Sequence, residues 1–306
     1  MITDVPGILI GHYTDGASLT GCTVVLCPPK TTASCEVRGS APGSRELASL
    51  APEKQAQEIH AVLLTGGSAF GLGAANGVMK FLSEKGIGYR TPWALVPIVP
   101  SAVIFDLNVG NPLTFPTAEN AYDACKRAGS SFEAGRVGAG TGATVGKWGG
   151  LSSAMKGGVG SASLRQKDLV VGAIAVVNAV GDVIAADGTI LAGAQQQGKF
   201  LGSEKRVVSF LDESLLLRNI NTTLVVVATN ARLSKVDCFR LAQRAHDGMA
   251  RAIMPAHTSF DGDTTFGLSA GDLHAPIDLV AELGAAATAE AIRAAVRDST
   301  PMSAAL

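Results

Sequence analysis

Mixed α/β is the fold class that this sequence predicts, and three observations predict it. Continuous apolar runs of strand length recur over residues 22–27, 61–65, 169–177 and 223–228, and an unbroken apolar run is what a strand buried on both faces requires. Between them lie segments with helical spacing of apolar residues and capping residues at their ends. Gly181-Asp182 stands between two apolar runs, as a hairpin turn does, so the strands do not simply alternate with helices as in a parallel sheet.

In chain order, short apolar segments at 7–10, 22–27 and 61–65 read as strands, and a helix follows over 71–85. Residues 95–99 form the next strand. The helix over 118–128 has Thr117 as its N-cap and Gly129 just past its end. The long run 169–177 and the shorter 182–185 form the predicted hairpin. Residues 192–221, with Gln195-Gln196-Gln197-Gly198 and a string of charges, read as a surface loop leading into the strand 223–228. A helix over 235–252 has Ser234 ahead of it and Asp237 three residues on, a capping-box pattern. Its apolar positions Cys238, Leu241, Ala242, Ala245 and Met249 share one face. The Ala-rich stretch 277–297 closes the chain as a helix, and there is no internal repeat.

Composition excludes several classes of function. Hydrophobic residues make up 47% of the 306 and charged residues 17%, which describes a soluble chain with a sizeable core. Net charge is −1 and the 25 basic residues form no stripe, so nucleic-acid binding and docking to anionic membranes lack an electrostatic basis. No apolar stretch reaches the roughly 18–20 residues that span a bilayer. Five scattered cysteines give neither a disulfide framework nor a zinc spacing, and the five histidines share no ligand spacing, so no metal or cofactor is expected. The first residues, Met1-Ile2-Thr3-Asp4-Val5-Pro6, have no basic flank or apolar core of a signal peptide. Cytoplasmic residence is the expectation, and Asn221-Thr222-Thr223 is then no glycosylation site.

The most informative stretch is Asn221-Thr222-Thr223-Leu224-Val225-Val226-Val227-Ala228. A hydroxyl residue at the mouth of a buried strand is held in place by the core behind it. Were the peptide bond before Thr222 broken, its hydroxyl and a new α-amino group would share one residue. Such an amine has a pKa of roughly 7.7–8.0 and can act as base for its own hydroxyl. Asp261 and Asp263 follow 39 and 41 residues later; they suit an acid pair that orients the amine, and equally a plain Asp-Gly-Asp turn. Asn178 ends the run 169–177, where a side-chain amide can serve an oxyanion or merely a turn. Lys147 follows the glycine-rich stretch 138–146 and reads either as a surface lysine or as a site residue. Gly66-Gly67-Ser68 sits between a strand and a helix, where backbone amides can line a pocket. It falls one glycine short of a nucleophile elbow. Gly138-Ala139-Gly140-Thr141-Gly142-Ala143 has no buried strand before it and is no dinucleotide motif. Gly146-Lys147 lacks the flanking residues of a P-loop.

The junction resembles the self-cleaving site of the L-aminopeptidase/D-esterase family, which includes the β-aminopeptidases and the nylon-oligomer hydrolases. The likeness extends, in one order, through Val37-Arg38-Gly39-Ser40-Ala41-Pro42-Gly43, Leu64-Thr65-Gly66-Gly67-Ser68-Ala69-Phe70-Gly71-Leu72 and Gly135-Arg136-Val137-Gly138-Ala139-Gly140-Thr141-Gly142-Ala143-Thr144. It continues in Lys156-Gly157-Gly158-Val159-Gly160-Ser161 and Phe260-Asp261-Gly262-Asp263-Thr264. The resemblance implies a layered α/β/β/α sandwich of the N-terminal-nucleophile hydrolase type. It implies one domain that cuts itself between Asn221 and Thr222 into an α fragment, 1–221, and a β fragment, 222–306, that stay folded together. Thr222 would be the nucleophile of a peptide or amide hydrolase, with Asp261, Asp263, Asn178 and Lys147 around it, Gly66, Gly67, Ser68 and Phe105 toward substrate, and no cofactor.

Two departures bear on the substrate. The aminopeptidase branch keeps an acidic residue near 100–107 for a substrate's free amine, where this chain reads Ser101-Ala102-Val103-Ile104-Phe105-Asp106-Leu107. The nylon-oligomer branch tends to carry Tyr at Phe105. Acyl transfer of the ornithine acetyltransferase type, and an uncut binding protein on the same scaffold, are the rival readings. The resemblance further implies a symmetric homo-oligomer such as a tetramer, with 283–295 and 96–105 as candidate contacts, both of which can equally be core.

Overall fold

The computed structural model describes residues 1–209 and 221–302. Two five-stranded sheets lie face to face. The first contains β1 (Leu9–Asp15), β2 (Thr20–Leu26), β4 (Ser44–Arg45), β5 (Ala61–Thr65) and β6 (Ser101–Val103), in the order β1-β2-β5-β6-β4. The second contains β3 (Thr32–Val37), β7 (Gly158–Gln166), β8 (Leu169–Asn178), β11 (Thr222–Ala231) and β13 (Thr264–Leu273), in the order β7-β8-β11-β13-β3. A smaller sheet joins β9 (Asp182–Ile184) to β10 (Ile190–Ala192) and β12 (Ile253–Met254).

Side-chain alternation explains the layering. In β11, Leu224, Val226 and Ala228 meet Ile10, Val25, Val62 and Leu64 of the other sheet in one buried cluster. The intervening Val225 and Val227 pack instead with Leu241, Ala245, Ala287 and Ile292 from two helices, α4 (Lys235–Ala250) and α5 (Ile277–Ala295). On the first sheet, Val24 and Leu63 face α1 (Ala75–Glu84) and α2 (Ala118–Lys126) through Val78, Leu82, Ala121 and Ala124. The architecture is therefore helix, sheet, sheet, helix, as expected. Both faces of each central strand are covered, which is why the sequence shows unbroken apolar runs. Among the described residues no helix is long and apolar enough to cross a membrane.

Helix ends follow their caps. The Thr117 side chain accepts from Asn120 N, and Asn120 returns a bond to the Thr117 backbone. Ser234 Oγ accepts from Asp237 N at 3.1 Å and donates to Asp237 Oδ2 at 2.7 Å. The helix expected over 71–85 is broken into an α turn (Ser68–Gly71), a 3₁₀ turn (Leu72–Ala74) and α1.

Three expectations are corrected, and one open alternative is decided. The hairpin of 169–177 with 182–185 does not form: β8 lies between β7 and β11, both antiparallel to it, while β9 pairs with β10 and β12. A turn signal is local and does not register that longer strands already occupy both edges of β8. The strand over 95–99 shrinks to Leu95–Val96, paired with Tyr89–Arg90 in a side hairpin; Pro97 and Pro100 supply no ladder N–H, and the chain enters the sheet only at Ser101. Residues 192–221 are not simply loop. They contain the hairpin Gln195–Gln196 with Lys199–Phe200 and the helix α3 (Gly202–Ser209), anchored by a buried Arg206–Asp182 pair at 3.4 Å; 210–220 lie outside the described residues. The Ala-rich face of 283–295 is core, since Ala285, Ala287, Ala291, Ile292 and Ala295 are all buried.

Candidate active site

The second sheet brings the candidate residues to one end of three adjacent strands. Asn178, the last residue of β8, is the register partner of Thr222, the first of β11. On its other side β11 runs parallel to β13, with Leu224 opposite Thr264. Parallel pairing sets the starts of two strands side by side, so the turn leading into β13 lies beside the junction leading into β11, and Asn221 bridges Asp261. Residues far apart in sequence thus share one buried site, with Asn221, Thr222, Asp261 and Asp263 all 5% exposed or less.

The carbonyl oxygen of Asn221 is the focus of the geometry. It accepts the N–H of Gly262 at 2.9 Å and also a bond from the Thr222 hydroxyl of the next residue. The hydroxyl therefore lies against the carbonyl group it would attack, and a backbone donor polarises the same oxygen. A side chain at Gly262 has no room: a Cβ there would lie 2.6 Å from the Ala41 carbonyl oxygen and 2.8 Å from Thr222 Oγ1. The turn is clamped from outside by the 37–43 block, with Arg38 N donating to Asp263 O and Ala41 N to Asp261 O, both at 3.0 Å.

The two carboxylates differ in surroundings. Asp263 Oδ1 accepts from Thr223 N at 2.7 Å, and Oδ2 accepts from His257 N at 3.0 Å and His257 Nδ1 at 2.8 Å. Asp261 is held by Thr258, whose N and Oγ1 donate to Oδ2 at 3.1 and 2.6 Å, and by Val180 N at 3.4 Å. Burial, and then the charge of Asp263, push the Asp261 carboxyl well above the ordinary carboxylate range. A second carboxylate nearby adds to burial in favouring the neutral form of Asp261.

Lys147 is buried, contrary to its surface-lysine alternative. Its Nζ donates to Asn178 Oδ1 at 2.8 Å and to Asn178 O at 2.9 Å. Burial pushes its pKa down to about 7, with the nearby Asp261 charge working the other way. Asn178 Oδ1 also accepts from Thr144 N at 3.0 Å, and this fixes the direction of the amide; Nδ2 donates to Phe105 O at 3.1 Å.

The glycine turn does not do what was expected of it. Gly66 N donates to Gly21 O, Gly67 N to Asp106 Oδ1 and Ser68 N to Ile104 O, so these amides bind protein and offer no cradle to a substrate. The reason is Asp106, a buried carboxylate that needs donors and finds them in Gly67 and in Thr20 Oγ1, at 2.7 Å each. Phe105 is half-buried and joins the site through its backbone carbonyl. Sequence reasoning missed Gly262 and His257. Gly262 reads as an ordinary turn glycine, and no spacing in the sequence singles out one of the five histidines.

The chain matches the peptidase family S58 model over residues 1–305. It is 42% identical to an uncharacterized aminopeptidase of Mycobacterium tuberculosis, over 98% of this chain and 94% of that protein. It is 32% identical to the 6-aminohexanoate-oligomer endohydrolase of Agromyces sp., over 89% of this chain and 76% of that protein. Among solved structures, the L-aminopeptidase D-Ala-esterase/amidase of Ochrobactrum anthropi superposes with a TM-score of 0.74 at 19% identity, covering 96% of this chain and 85% of that one. That protein's structure is described as a variant of the Ntn hydrolase fold, and the likeness bears on fold alone.

Proposed function

Because the chain belongs to peptidase family S58 and is a hydrolase acting on peptide or amide bonds, we propose that it matures by cutting itself between Asn221 and Thr222 and then works through Thr222. The observation that carries this reading is the Asn221 carbonyl, approached by the Thr222 hydroxyl and held by Gly262 N–H. In the first step Thr222 Oγ adds to that carbonyl carbon, and its proton passes to a nearby base. Lys147, with its lowered pKa, is the candidate base. Collapse breaks the C–N bond as the base hands that proton to the departing nitrogen, leaving an ester with a free Thr222 amine; water then hydrolyses the ester to the Asn221 carboxylate and the Thr222 hydroxyl. The reacting groups are covalently adjacent, so the step gains a large effective molarity.

In turnover, the α-amine of Thr222 takes the proton of its own hydroxyl as Oγ attacks a substrate carbonyl. The amine product leaves with that proton, and water hydrolyses the acyl ester. Asp263, bonded to the N–H of Thr223, sits one residue from the new amine and suits an orienting role. Asn178 suits the oxyanion, its amide fixed by Lys147 and Thr144. The substrate is a small peptide or linear amide. Asp106 has both carboxylate oxygens engaged by Thr20 and Gly67, so it offers nothing to a substrate's free amine, which favours amides without that requirement. The five free cysteines suit residence in the reducing cytoplasm. Exposed Trp93 and Leu113, at 90% and 86%, suit burial between copies in a homo-oligomer, which light scattering would check.

The mass of the purified protein tests the reading. Two chains, one beginning at Thr222, are expected from wild type, and one uncut, inactive chain from Thr222→Ala. Release of the same C-terminal fragment by Thr222→Ala would remove Thr222 from the mechanism.

A further inference from the structure

His257 sits outside the acid pair, the lysine and the asparagine discussed so far, yet the geometry ties it to them. Its backbone N and its ring Nδ1 both bond Asp263 Oδ2, at 3.0 and 2.8 Å. Its other ring nitrogen, Nε2, faces the backbone carbonyl of His246 at 3.4 Å. With Asp263 as a carboxylate both neighbours accept, and the form of the ring that donates to both is the imidazolium. The ring is only 17% exposed. Its backbone has φ +57°, in the left-handed region that Asn, Asp and His visit most readily among residues other than Gly. The edge of the His246 ring packs against it with centroids 4.7 Å apart.

The opposite oxygen of Asp263 holds Thr223 N. An unbroken line of hydrogen bonds therefore runs from the His246 carbonyl through His257 and Asp263 to the backbone beside the proposed nucleophile. We propose that His257 is a positioning residue whose protonated ring holds the Asp263 carboxylate aimed at the Thr222–Thr223 backbone. This rests on the self-cleaving reading above.

The groups facing His257 are consistent with a single charge there. Its own loop supplies Asp263 and Asp261. The helix α4 supplies His246, which burial and the neighbouring His257 charge push down to about 4 and so keep neutral, and Asp247. From β3 and the residue after it come Glu36 and Arg38, and Arg38 pairs with Asp247 and Glu36 at the surface. Burial alone would lower the His257 pKa; the hydrogen bond and charge of Asp263 outweigh it, and the net direction is upward. The ring thus keeps its proton to a higher pH than an ordinary histidine does.

Three full-length variants, His257→Asn, His257→Gln and His257→Ala, test the role through the rate of self-cleavage as a function of pH, read by intact mass. Asparagine accepts the left-handed backbone and places an amide N–H where Nδ1 stood, so it keeps the hydrogen bond and removes only the charge. Wild type should give a bell: a rising limb as the base deprotonates and a fall as His257 loses its proton. His257→Asn should cut more slowly at neutral pH, at the rate to which wild type falls once its ring is neutral, and should show no alkaline fall. His257→Gln and His257→Ala should slow cleavage by about tenfold or more, toward the scale of a lost acid–base element. Nitrogen NMR of the ring in the uncut Thr222→Ala chain should show both nitrogens protonated at pH 7.

A neutral ring at pH 7 overturns the proposal. So does a bell of unchanged shape in His257→Asn, the result a purely structural histidine would give. Variants cutting as fast as a wild type that cuts would refute the positioning role alone, whereas a wild-type chain that stays whole refutes the self-cleaving reading and this role with it.

Discussion

Replacing Gly262 with alanine probes the one contact on which self-cleavage most depends. The N–H of this glycine is 2.9 Å from the Asn221 carbonyl oxygen. The added methyl would stand 2.6 Å from the Ala41 carbonyl oxygen, which is backbone, and 2.8 Å from Thr222 Oγ1. Neither neighbour is the loose end of a flexible side chain. Ala41 is itself tied to Asp261 O by its N–H, and Thr222 belongs to a central strand. The turn must therefore move away, lengthening the bond to Asn221 and displacing the nucleophile together. Loss of one oxyanion donor lowers a rate by about 10²–10³-fold, or roughly 2.7–4 kcal/mol of barrier. Overpacking on its own should destabilise the fold by about 1–3 kcal/mol, which urea unfolding would measure separately. The assay is a time course of intact mass on freshly made chain at neutral pH. Gly262→Ala chain that cuts at the wild-type rate while remaining folded would refute the argument, because it would mean that the Asn221 carbonyl needs no donor at this position.

Asp263→Asn should reduce kcat by about 10²-fold or more and slow maturation as well. Asp263 accepts three N–H donors, and an amide would turn its own N–H₂ toward some of them; steady-state kinetics on any fraction that does cleave would reveal this, and near-normal turnover would return Asp261-Gly262-Asp263 to the status of a turn. Lys147 gives a pH prediction of definite sign. Its folded pKa of about 7 lies below the ordinary value of 10.5, so the unfolded chain binds more protons between those values. Stability referred to Lys147→Met should therefore rise with pH from about 7 upward and be flat below it. Urea midpoints at pH 6 and pH 9, both in the uncleavable Thr222→Ala background, would show it; a difference that is unchanged or smaller at pH 9 would contradict the buried-amine assignment.

Sequence by itself determined whatever depends on neighbours along the chain. The runs 61–65, 169–177 and 223–228 became central strands because strands covered on both faces are apolar along almost their whole length. Thr117 and Ser234 became caps because their partners, Asn120 and Asp237, lie three residues on. The junction Asn221-Thr222 was legible as a hydroxyl held at the mouth of a buried strand. Resemblance supplied the layered sandwich, which no periodicity showed.

Tertiary structure decided everything that turns on which hydrogen-bonding groups meet across strands. Parallel pairing of β11 with β13 carries Gly262 N–H to the Asn221 carbonyl, and nothing in Asp-Gly-Asp announces that partner. The amides of Gly66, Gly67 and Ser68 looked available until Asp106, Gly21 and Ile104 were found to occupy them. His257 became visible only when Asp263 and the His246 carbonyl appeared on its two nitrogens. A chain lists its donors and acceptors, but each buried one is satisfied by whatever the sheet brings beside it, and that choice is made between residues tens of positions apart.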